Sequence, residues 1–386
     1  MNQTQQAAAS VFVRTPLTWM AYILLALYGY FLNILGPITP FLHDEFGLSY
    51  TVSSLHFSAF AVGILAVGLV GHWFIRRAGR ARSLAAGAIG LSLGALLLVI
   101  GRAPAVTISA AFLMGCVGSL ILAEVPATLS EEHGDLRAVA ISEANVLAST
   151  LSTLAPLLVG WLARLLIGWR VALIAAALLT LLVGLLMLRR GADHVTEGSA
   201  TRPGERLPGR FWFYWLVLVL AVSVEFCMVY WSADYLETVL GMPVAAAAQA
   251  VSLFLGGMIV GRMVGGQLVR RFAARNVVLA SLGLGAAGFA LYWTTTRPAL
   301  GMLGLAVSGL GVASLYPLIL SLALATSGGK VAQAGARTTL ASGTAIPALP
   351  LALGRLADLV GLKPAFGVVA VLFALMFALM LGAGKK

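Results

Sequence analysis

The chain has 386 residues, of which 60% are hydrophobic and 10% are charged. A soluble globular protein could not cover so much apolar surface with so few charges, so the composition excludes a soluble fold and indicates an integral membrane protein. The formal net charge is +11, but the basic residues stand in short clusters between apolar runs and form no basic face with stacking aromatics, so nucleic acid is excluded as a partner.

Twelve apolar stretches, each of roughly the twenty residues that a bilayer-spanning helix needs, follow one another along the chain. The predicted spans lie near 17–41, 51–75, 83–101, 105–128, 138–162, 169–188, 212–238, 245–269, 277–296, 299–325, 337–360 and 364–382. A polar segment from Arg189 to Arg210 separates the sixth span from the seventh. We therefore predict an all-α membrane protein of 12 transmembrane helices, with one six-helix bundle in residues 1–188, a cytoplasmic linker in 189–211 and a second six-helix bundle in 212–386.

Basic residues collect in alternate loops. One set of loops and termini holds 18 of the 25 Lys and Arg residues, the other set holds six, and Arg262 lies within a span. Because cytoplasmic loops are enriched in Lys and Arg, this pattern predicts that both termini are cytoplasmic. The expected location is the plasma (inner) membrane, which the chain would cross many times.

The loops after the second and the eighth span carry similar basic clusters. The first reads Gly71-His72-Trp73-Phe74-Ile75-Arg76-Arg77-Ala78-Gly79-Arg80-Ala81-Arg82, and the second reads Gly266-Gln267-Leu268-Val269-Arg270-Arg271-Phe272-Ala273-Ala274-Arg275. Equivalent clusters in the two halves indicate a parallel duplication. The chain thereby resembles the major facilitator superfamily, whose loop between the second and third helices reads Gly-x-Leu-Ala-Asp-Arg-x-Gly-Arg-Arg. The resemblance implies two pseudo-symmetric six-helix bundles that alternate between inward- and outward-open states.

The chain departs from that motif at its acidic position. Ile75 or Arg76, depending on a one-residue gap, and Arg270 stand where the family has aspartate. In the family this acid braces the cytoplasmic gate, so that ion-pair latch is not expected here. The basic residues of the two loops are expected to determine topology and to lie at the gate: Arg76, Arg77, Arg80, Arg270 and Arg271.

Three further stretches resemble the fucose–galactose–glucose:proton symporter branch of this superfamily. They are Gly257-Met258-Ile259-Val260-Gly261-Arg262, the sequence from Leu315-Tyr316-Pro317 to Leu324, and Ile346-Pro347 with Gly354-Arg355 and Asp358. The chain departs from the branch at Glu124, where the sugar symporters tend to carry asparagine ahead of a proline that matches Pro126. A sugar substrate therefore does not follow from the resemblance.

Ionisable groups inside the spans are the first candidates for function, since a charge in the bilayer is costly unless it faces protein or water. Glu225 lies near the middle of the seventh predicted span. It could take up a proton on one side and release it on the other, or neutralise a cationic solute; the alternative is a paired or protonated glutamate that serves packing alone. We predict that Glu225 is the coupling carboxylate.

Glu124 and Arg262 lie at similar depths in the fourth and eighth predicted spans. A contact between them in one conformation would offset the cost of both charges. The family resemblance also implies a structural role for Arg262, because an arginine after glycine at this place bonds helix ends and carbonyls. Substrate binding and structure thus remain alternatives for both residues.

Polar side chains in the spans supply further candidate cavity ligands. They are Asn33, Tyr230, Asn145 and Tyr316. Asn145 belongs to a stripe with Ser142, Ser149 and Ser152. We assign the serines of this stripe to close packing of the fifth helix against a glycine face on the eighth, formed by Gly257, Gly261 and Gly265.

The sequence has no Gly-rich phosphate loop, no repeated metal-ligand spacing and no Ser-His-Asp order on a soluble domain, so we predict no enzyme, cofactor or metal. The leading hypothesis is a secondary active transporter that carries a small solute by proton symport. The alternatives are proton-driven efflux of cationic or amphiphilic compounds and, from another class, a membrane sensor or scaffold that does not transport. The expected partners are a small solute, protons and the lipid bilayer, and the chain is expected to be a monomer.

Overall fold

The computed structural model describes residues 12–165, 167–189 and 207–382, and within these the side chains at 69–72, 331, 332, 336, 339 and 342 are left out. The helices are α1 Pro16–Phe46, α2 Tyr50–Ala78, α3 Arg80–Ile100, α4 Pro104–His133, α5 Arg137–Arg164, α6 Arg170–Leu188, α7 Gly209–Thr238, α8 Val244–Leu268, α9 Ala274–Thr294, α10 Pro298–Ala325, α11 Val331–Val360 and α12 Leu362–Gly382. Most of the predicted linker, residues 190–206, lies outside the described part.

The described residues form helices and no strand, which confirms the predicted all-α fold. Eleven helical stretches are long and apolar enough to cross a membrane. The longest of them, Pro104–Arg164, contains both α4 and α5, because only a short 3₁₀ turn at Gly134–Leu136 joins these helices. The structure therefore has the twelve spans that the sequence predicts.

Local sequence signals explain where several helices begin and end. The Thr15 side chain accepts a hydrogen bond from the Thr18 backbone N–H at the start of α1, and Pro16 occupies the first turn, where its missing N–H is harmless. Gly47 ends α1 with a φ of 59°, a left-handed conformation that glycine adopts without strain. The helix α10 is interrupted by a turn at Ala313–Ser314, where the sequence predicts one unbroken span.

Because the twelve spans alternate in direction, all odd-numbered helices begin at the same end of the molecule. We call this end, where α1 begins and α12 finishes, the terminus face, and the opposite end the far face. Within the first six helices, α1 packs on α5, and α3 packs on α4 and α6. The first and last six helices contact each other through α1 with α7, α2 with α11, and α5 with α8.

The glycine face of α8 packs on α10, which differs from the predicted packing on the serine stripe of α5. A Cβ atom on Gly257 would lie 2.5 Å from the Ala306 carbonyl oxygen, and one on Gly261 would lie 2.3 Å from the Leu310 carbonyl oxygen. The backbones of α8 and α10 therefore touch directly. The helices α5 and α8 do meet, but their close approach is at Gly160, whose Cβ would lie 2.2 Å from the Ala245 carbonyl oxygen.

Candidate functional site

A cavity of about 220 Å³ lies between the two halves, about midway along the helices. Its walls come from α1, α4 and α5 on one side and from α7 and α8 on the other. The lining residues are Leu25, Tyr28, Gly29, Leu32, Asn33, Leu122, Asn145, Ala148, Ser149, Ser152, Thr153, Glu225, Leu255, Met258, Ile259 and Arg262. The first half contributes the amides and hydroxyls, and the second half contributes the two charged groups.

Glu225 is the seventeenth of the thirty residues of α7, so it lies close to the middle of that helix. Its carboxylate is 3.7 Å from the guanidinium of Arg262, and the exposed fractions of the two side chains are 19% and 45%. This separation allows an ion pair but exceeds the roughly 3.2 Å of a direct N–H···O hydrogen bond. The structure thus joins two predicted site residues in a loose contact that leaves the guanidinium accessible.

The packing of α8 explains why Arg262 reaches the cavity. Gly257, Gly261 and Gly265 lie against α10, and a Cβ atom on any of them would collide with that helix. With this face of α8 pressed on α10, Arg262 projects from another face into the space between the halves.

Asn33 and Asn145 both line the cavity, from α1 and α5. The Asn33 amide donates to the Gly29 carbonyl at 2.9 Å and to the Ser152 hydroxyl at 3.2 Å. Both of its amide protons are therefore engaged, and it can offer a solute only its Oδ1 acceptor. Asn145 is exposed and uses one amide proton on the Ile141 carbonyl at 2.8 Å, so it can still donate and accept.

Tyr230 and Tyr316 are not among the lining residues. Tyr230 is fully buried, and its hydroxyl donates to the backbone carbonyl of Ser53 on α2, in the other half. Tyr316 is half-buried against the apolar core. In this conformation Tyr230 therefore holds the two halves together rather than contacting a solute.

The contact of Tyr230 with Ser53 belongs to a seal that closes the cavity on its far side. A Cβ atom on Gly36 of α1 would lie 2.4 Å from the Val229 carbonyl oxygen of α7, so these helices cross in backbone contact. The neighbouring Trp231 indole donates to the Pro350 carbonyl at 3.0 Å, a contact between α7 and α11 inside the second half.

Asp358 extends this seal to the end of the helices. It lies in the last turn of α11 and accepts hydrogen bonds from the backbone N–H groups of Tyr50 and Thr51 at 2.8 and 2.9 Å. Tyr50 and Thr51 begin α2 in the other half. A carboxylate at a helix N-terminus is a favourable partner for the free N–H groups there, so this contact ties the halves at the far face.

Exposed side chains and a second cavity lie toward the terminus face. The cavity has a volume of about 500 Å³, and its lining residues belong to the first half: Arg14, Trp19, Tyr22, Ser142, Glu143, Val146, Leu147 and Thr150. Val146 is 65% exposed and Trp19 is 49% exposed, although both lie on helices that contact the second half deeper in the molecule. The described contacts that close the central cavity therefore lie on its far side, whereas exposed side chains lie toward the terminus face.

In this conformation Glu124 pairs with Arg80 rather than with Arg262, so the Glu124–Arg262 contact stays a prediction for another conformation. The Arg80 guanidinium donates to the Glu124 carboxylate at 2.9 Å and also contacts Glu131, and the Arg80 and Glu124 side chains are only 10% and 7% exposed. The pair joins α3 to α4 inside the first half. Glu124 does not line the central cavity.

The four other basic residues predicted to lie at the gate are exposed: Arg76, Arg77, Arg270 and Arg271. Arg77 lies over the Trp73 ring at 4.2 Å. Arg80 differs from them, because it is buried and holds two helices together. The sequence shows only its place, directly after Gly79 in the first basic cluster, and nothing in it identified Glu124, 44 residues later, as its partner.

Asp358 is a functional candidate that the sequence did not single out, because it appeared only within a stretch similar to the sugar symporter branch. Its position in the last turn of a span, after an apolar stretch, is compatible with a simple interfacial charge. Only the approach of α2 to α11 shows what the carboxylate binds.

Comparison with known proteins accords with this architecture. The sequence profile described as Major Facilitator Superfamily matches residues 21–334. An MFS-type transporter of Yersinia pestis is 26% identical over 356 residues, which cover 87% of this chain and 88% of that protein.

Three solved structures share the fold. A bacterial homologue of the human lysosomal transporter Spinster, in an inward-facing and occupied conformation, has a TM-score of 0.76 at 14% identity and covers 95% of this chain and 96% of its own. A D-xylose–proton symporter has a TM-score of 0.74 at 14% identity, covering 95% of this chain and 96% of its own. A mutant of the nucleoside transporter NupG has a TM-score of 0.77 at 13% identity, covering 96% and 99%. The profile match over most of the sequence confirms the predicted family and the prediction that the protein is not an enzyme: the chain belongs to the Major Facilitator Superfamily of membrane transporters.

Proposed function

We propose that the protein is a proton-coupled symporter of a small polar solute, with Glu225 as the coupling carboxylate. The observation that carries this proposal is the loose Glu225–Arg262 pair in the central cavity. A carboxylate inside a span needs a compensating partner, and either a cation or a proton can supply it. A partner at 3.7 Å that stays accessible can be exchanged for a proton without breaking a hydrogen bond.

Alternating access would follow from the two kinds of contact between the halves. The described contacts seal the far face, and exposed side chains lie toward the terminus face. We propose that the terminus face is cytoplasmic, because 18 of the 25 basic residues belong to its loops and termini, so that this conformation is inward-open. Residues 1–188 and 212–386 would rock against each other, with 189–211 joining them, and the contact between Asp358 and α2 would break as the far face opens.

Efflux of a cationic amphiphile is less well supported. Arg262 lies in the cavity wall beside Glu225 and would repel a cation, and a cavity of about 220 Å³ is smaller than the roughly 300–1,000 Å³ typical of sites for drug-sized ligands. The likeness to sugar:proton symporters remains a prediction.

Transport by purified protein in proteoliposomes tests the proposal. We would measure uptake of radiolabelled D-xylose, uridine, dialanine and L-lactate, driven by an inward proton gradient. Wild-type protein is expected to accumulate at least one of them, whereas Glu225→Gln should lose gradient-driven accumulation and keep exchange of labelled for unlabelled solute. This split is expected because exchange needs no net proton movement.

The matched control is Asp135→Asn, which removes an exposed carboxylate from the turn between α4 and α5. It should transport like the wild type. Full gradient-driven accumulation by Glu225→Gln would refute the coupling role, and the absence of saturable flux of any solute would favour the sensor or scaffold hypothesis.

A further inference from the structure

The charges in the central cavity restrict the solute. Among the described residues that line it, only Glu225 and Arg262 belong to residue types that are charged at neutral pH. The ion pair that they form is neutral overall. If Glu225 takes up a proton, Arg262 becomes an unbalanced cation near the centre of the membrane. Such a charge is costly, and the described part of the cavity lining offers no second acid to balance it.

We propose that the transported solute is a small carboxylate anion, which binds the Arg262 guanidinium while Glu225 carries the proton. This inference rests on the proposed function. The solute and Glu225 would compete for the same guanidinium, so that proton uptake by Glu225 frees the site for the anion. One proton and one negative charge would then cross together, and transport of a monocarboxylate would move no net charge.

The geometry at Arg262 suits this role. A guanidinium presents a fork of donors that matches a carboxylate through two parallel hydrogen bonds, and such pairs are among the strongest polar contacts in proteins. The contact of Arg262 with Glu225 is longer than a hydrogen bond and leaves 45% of the arginine side chain exposed. The donors are therefore available on the side that faces the cavity.

The opposite wall indicates what else the solute carries. The amide of Asn145, the Oδ1 of Asn33 and the hydroxyl of Ser149 line the first-half side and can bind a hydroxyl or keto group. Leucine, methionine and isoleucine side chains, together with Tyr28, Ser152 and Thr153, are among the other lining residues. A cavity of about 220 Å³ is smaller than the roughly 300–1,000 Å³ typical of sites for drug-sized ligands, which favours a compact organic acid.

Binding to the purified full-length protein tests the inference without relying on transport. The melting temperature would be followed at pH 6 and pH 8 with glycolate, pyruvate, L-lactate, succinate and D-gluconate, each compared with its neutral amide. At least one carboxylate is expected to raise the melting temperature at low millimolar concentration, and its amide should not. D-Xylose and tetraphenylphosphonium serve as a neutral and a cationic comparison.

Two cavity variants sharpen the test. Arg262→Gln should weaken carboxylate binding about tenfold or more, because it removes charge-assisted hydrogen bonds. Glu225→Gln imitates the protonated acid and should bind the carboxylate more tightly than the wild type at pH 8, since the competitor for Arg262 is gone. Arg82→Gln, which changes an exposed arginine of α3 outside the cavity, should bind like the wild type.

The inference is overturned if none of the carboxylates stabilises the protein, if the amides stabilise it equally, or if Arg262→Gln binds as tightly as the wild type. Its failure can be told from failure of the proposed function. Carboxylate binding that depends on Arg262, together with gradient-driven uptake that survives Glu225→Gln, would retain the inference and refute the coupling role. Proton-driven, Glu225-dependent uptake of D-xylose without carboxylate binding would retain the coupling role and refute the inference.

Discussion

The two ends of the molecule use polar contacts differently. At the far face, hydrogen bonds join one half to the other, as between Tyr230 and Ser53 or Asp358 and the start of α2, beside an ion pair of Arg170 with Glu45 within the first half. At the terminus face, the described ion pairs stay within the first half, as for Arg80 with Glu124 and Arg14 with Glu143. Contacts between halves decide which side of the cavity is closed, whereas contacts within a half make the moving unit rigid.

The largest effect is expected from breaking a contact within a half. Arg80→Ala would leave the buried carboxylate of Glu124 without its partner, which should destabilise the protein by about 3–5 kcal/mol. The melting temperature in detergent should fall markedly. Replacing both residues, as Arg80→Met with Glu124→Leu, should recover much of the loss because no charge is left unpaired.

Arg14→Gln is the control for this prediction. It breaks an ion pair with Glu143 on the same face, but both side chains are substantially exposed, so little change in melting temperature is expected. Equal melting temperatures for Arg80→Ala and the wild type would show that the buried pair does not hold the bundle together.

A smaller effect, on the conformation rather than on the stability of a half, is expected from crowding the contact between α1 and α7 at the far face. Gly36→Ala would place a Cβ atom 2.4 Å from the Val229 carbonyl oxygen and so force α1 from α7, at a cost of about 1–3 kcal/mol to the sealed state. Spin labels on exposed far-face positions in opposite halves, Ile167 and Leu359, should move apart in electron–electron double resonance. Cys116 and Cys227 would first be replaced to give a cysteine-free protein, so that the spin labels attach only at the two introduced cysteines.

Gly94→Ala is the matched control. Its Cβ atom would lie 2.6 Å from Met114 Cγ and 3.0 Å from the Ala110 carbonyl oxygen, so the crowding is milder than at Gly36 and lies wholly inside the first half. It should lower the melting temperature and leave the label distance unchanged. If Gly94→Ala separates the labels as far as Gly36→Ala does, the distinction between the two kinds of contact fails.

The smallest of the three effects is expected at Asp358. Asp358→Asn weakens the acceptor for two backbone N–H groups of α2 at an exposed site, which should cost the sealed state about 1 kcal/mol, or a factor of about five in its population. The same label pair would report a larger open fraction. Thr51→Val, which removes only the hydroxyl contact to Asp358, should shift the population less. An unchanged distribution in Asp358→Asn would mean that this contact does not help to close the far face.

The sequence was sufficient for the features that depend on one helix at a time. The twelve spans follow from apolar length, and the central depth of Glu225 follows from its place in α7. Partners across helices were not accessible in this way, because a sequence gives depth along a helix but not its rotation. Tyr230 is five residues from Glu225, which turns it by roughly 140° around the helix, away from the cavity and toward α2.

The pairing of Arg80 with Glu124 could not be predicted for the same reason, because it depends on how neighbouring helices face each other. Two charges 44 residues apart meet because α3 and α4 pack side by side, and the sequence alone allowed Arg262 as an equally good partner for Glu124. The depth of each charge could be predicted, but the choice of partner depends on which helix faces which.

The backbone contact between α8 and α10 has a consequence for how this protein could acquire a new solute. Gly257, Gly261 and Gly265 lie against α10 on both sides of Arg262 along α8, so bulk added at any of them would press the helix, and the guanidinium with it, toward the cavity. A genetic selection for growth on a different solute should therefore recover changes at these glycines, which no solute touches, alongside changes in the cavity wall. Substitutions outside the cavity lining would then change the solute specificity of this transporter.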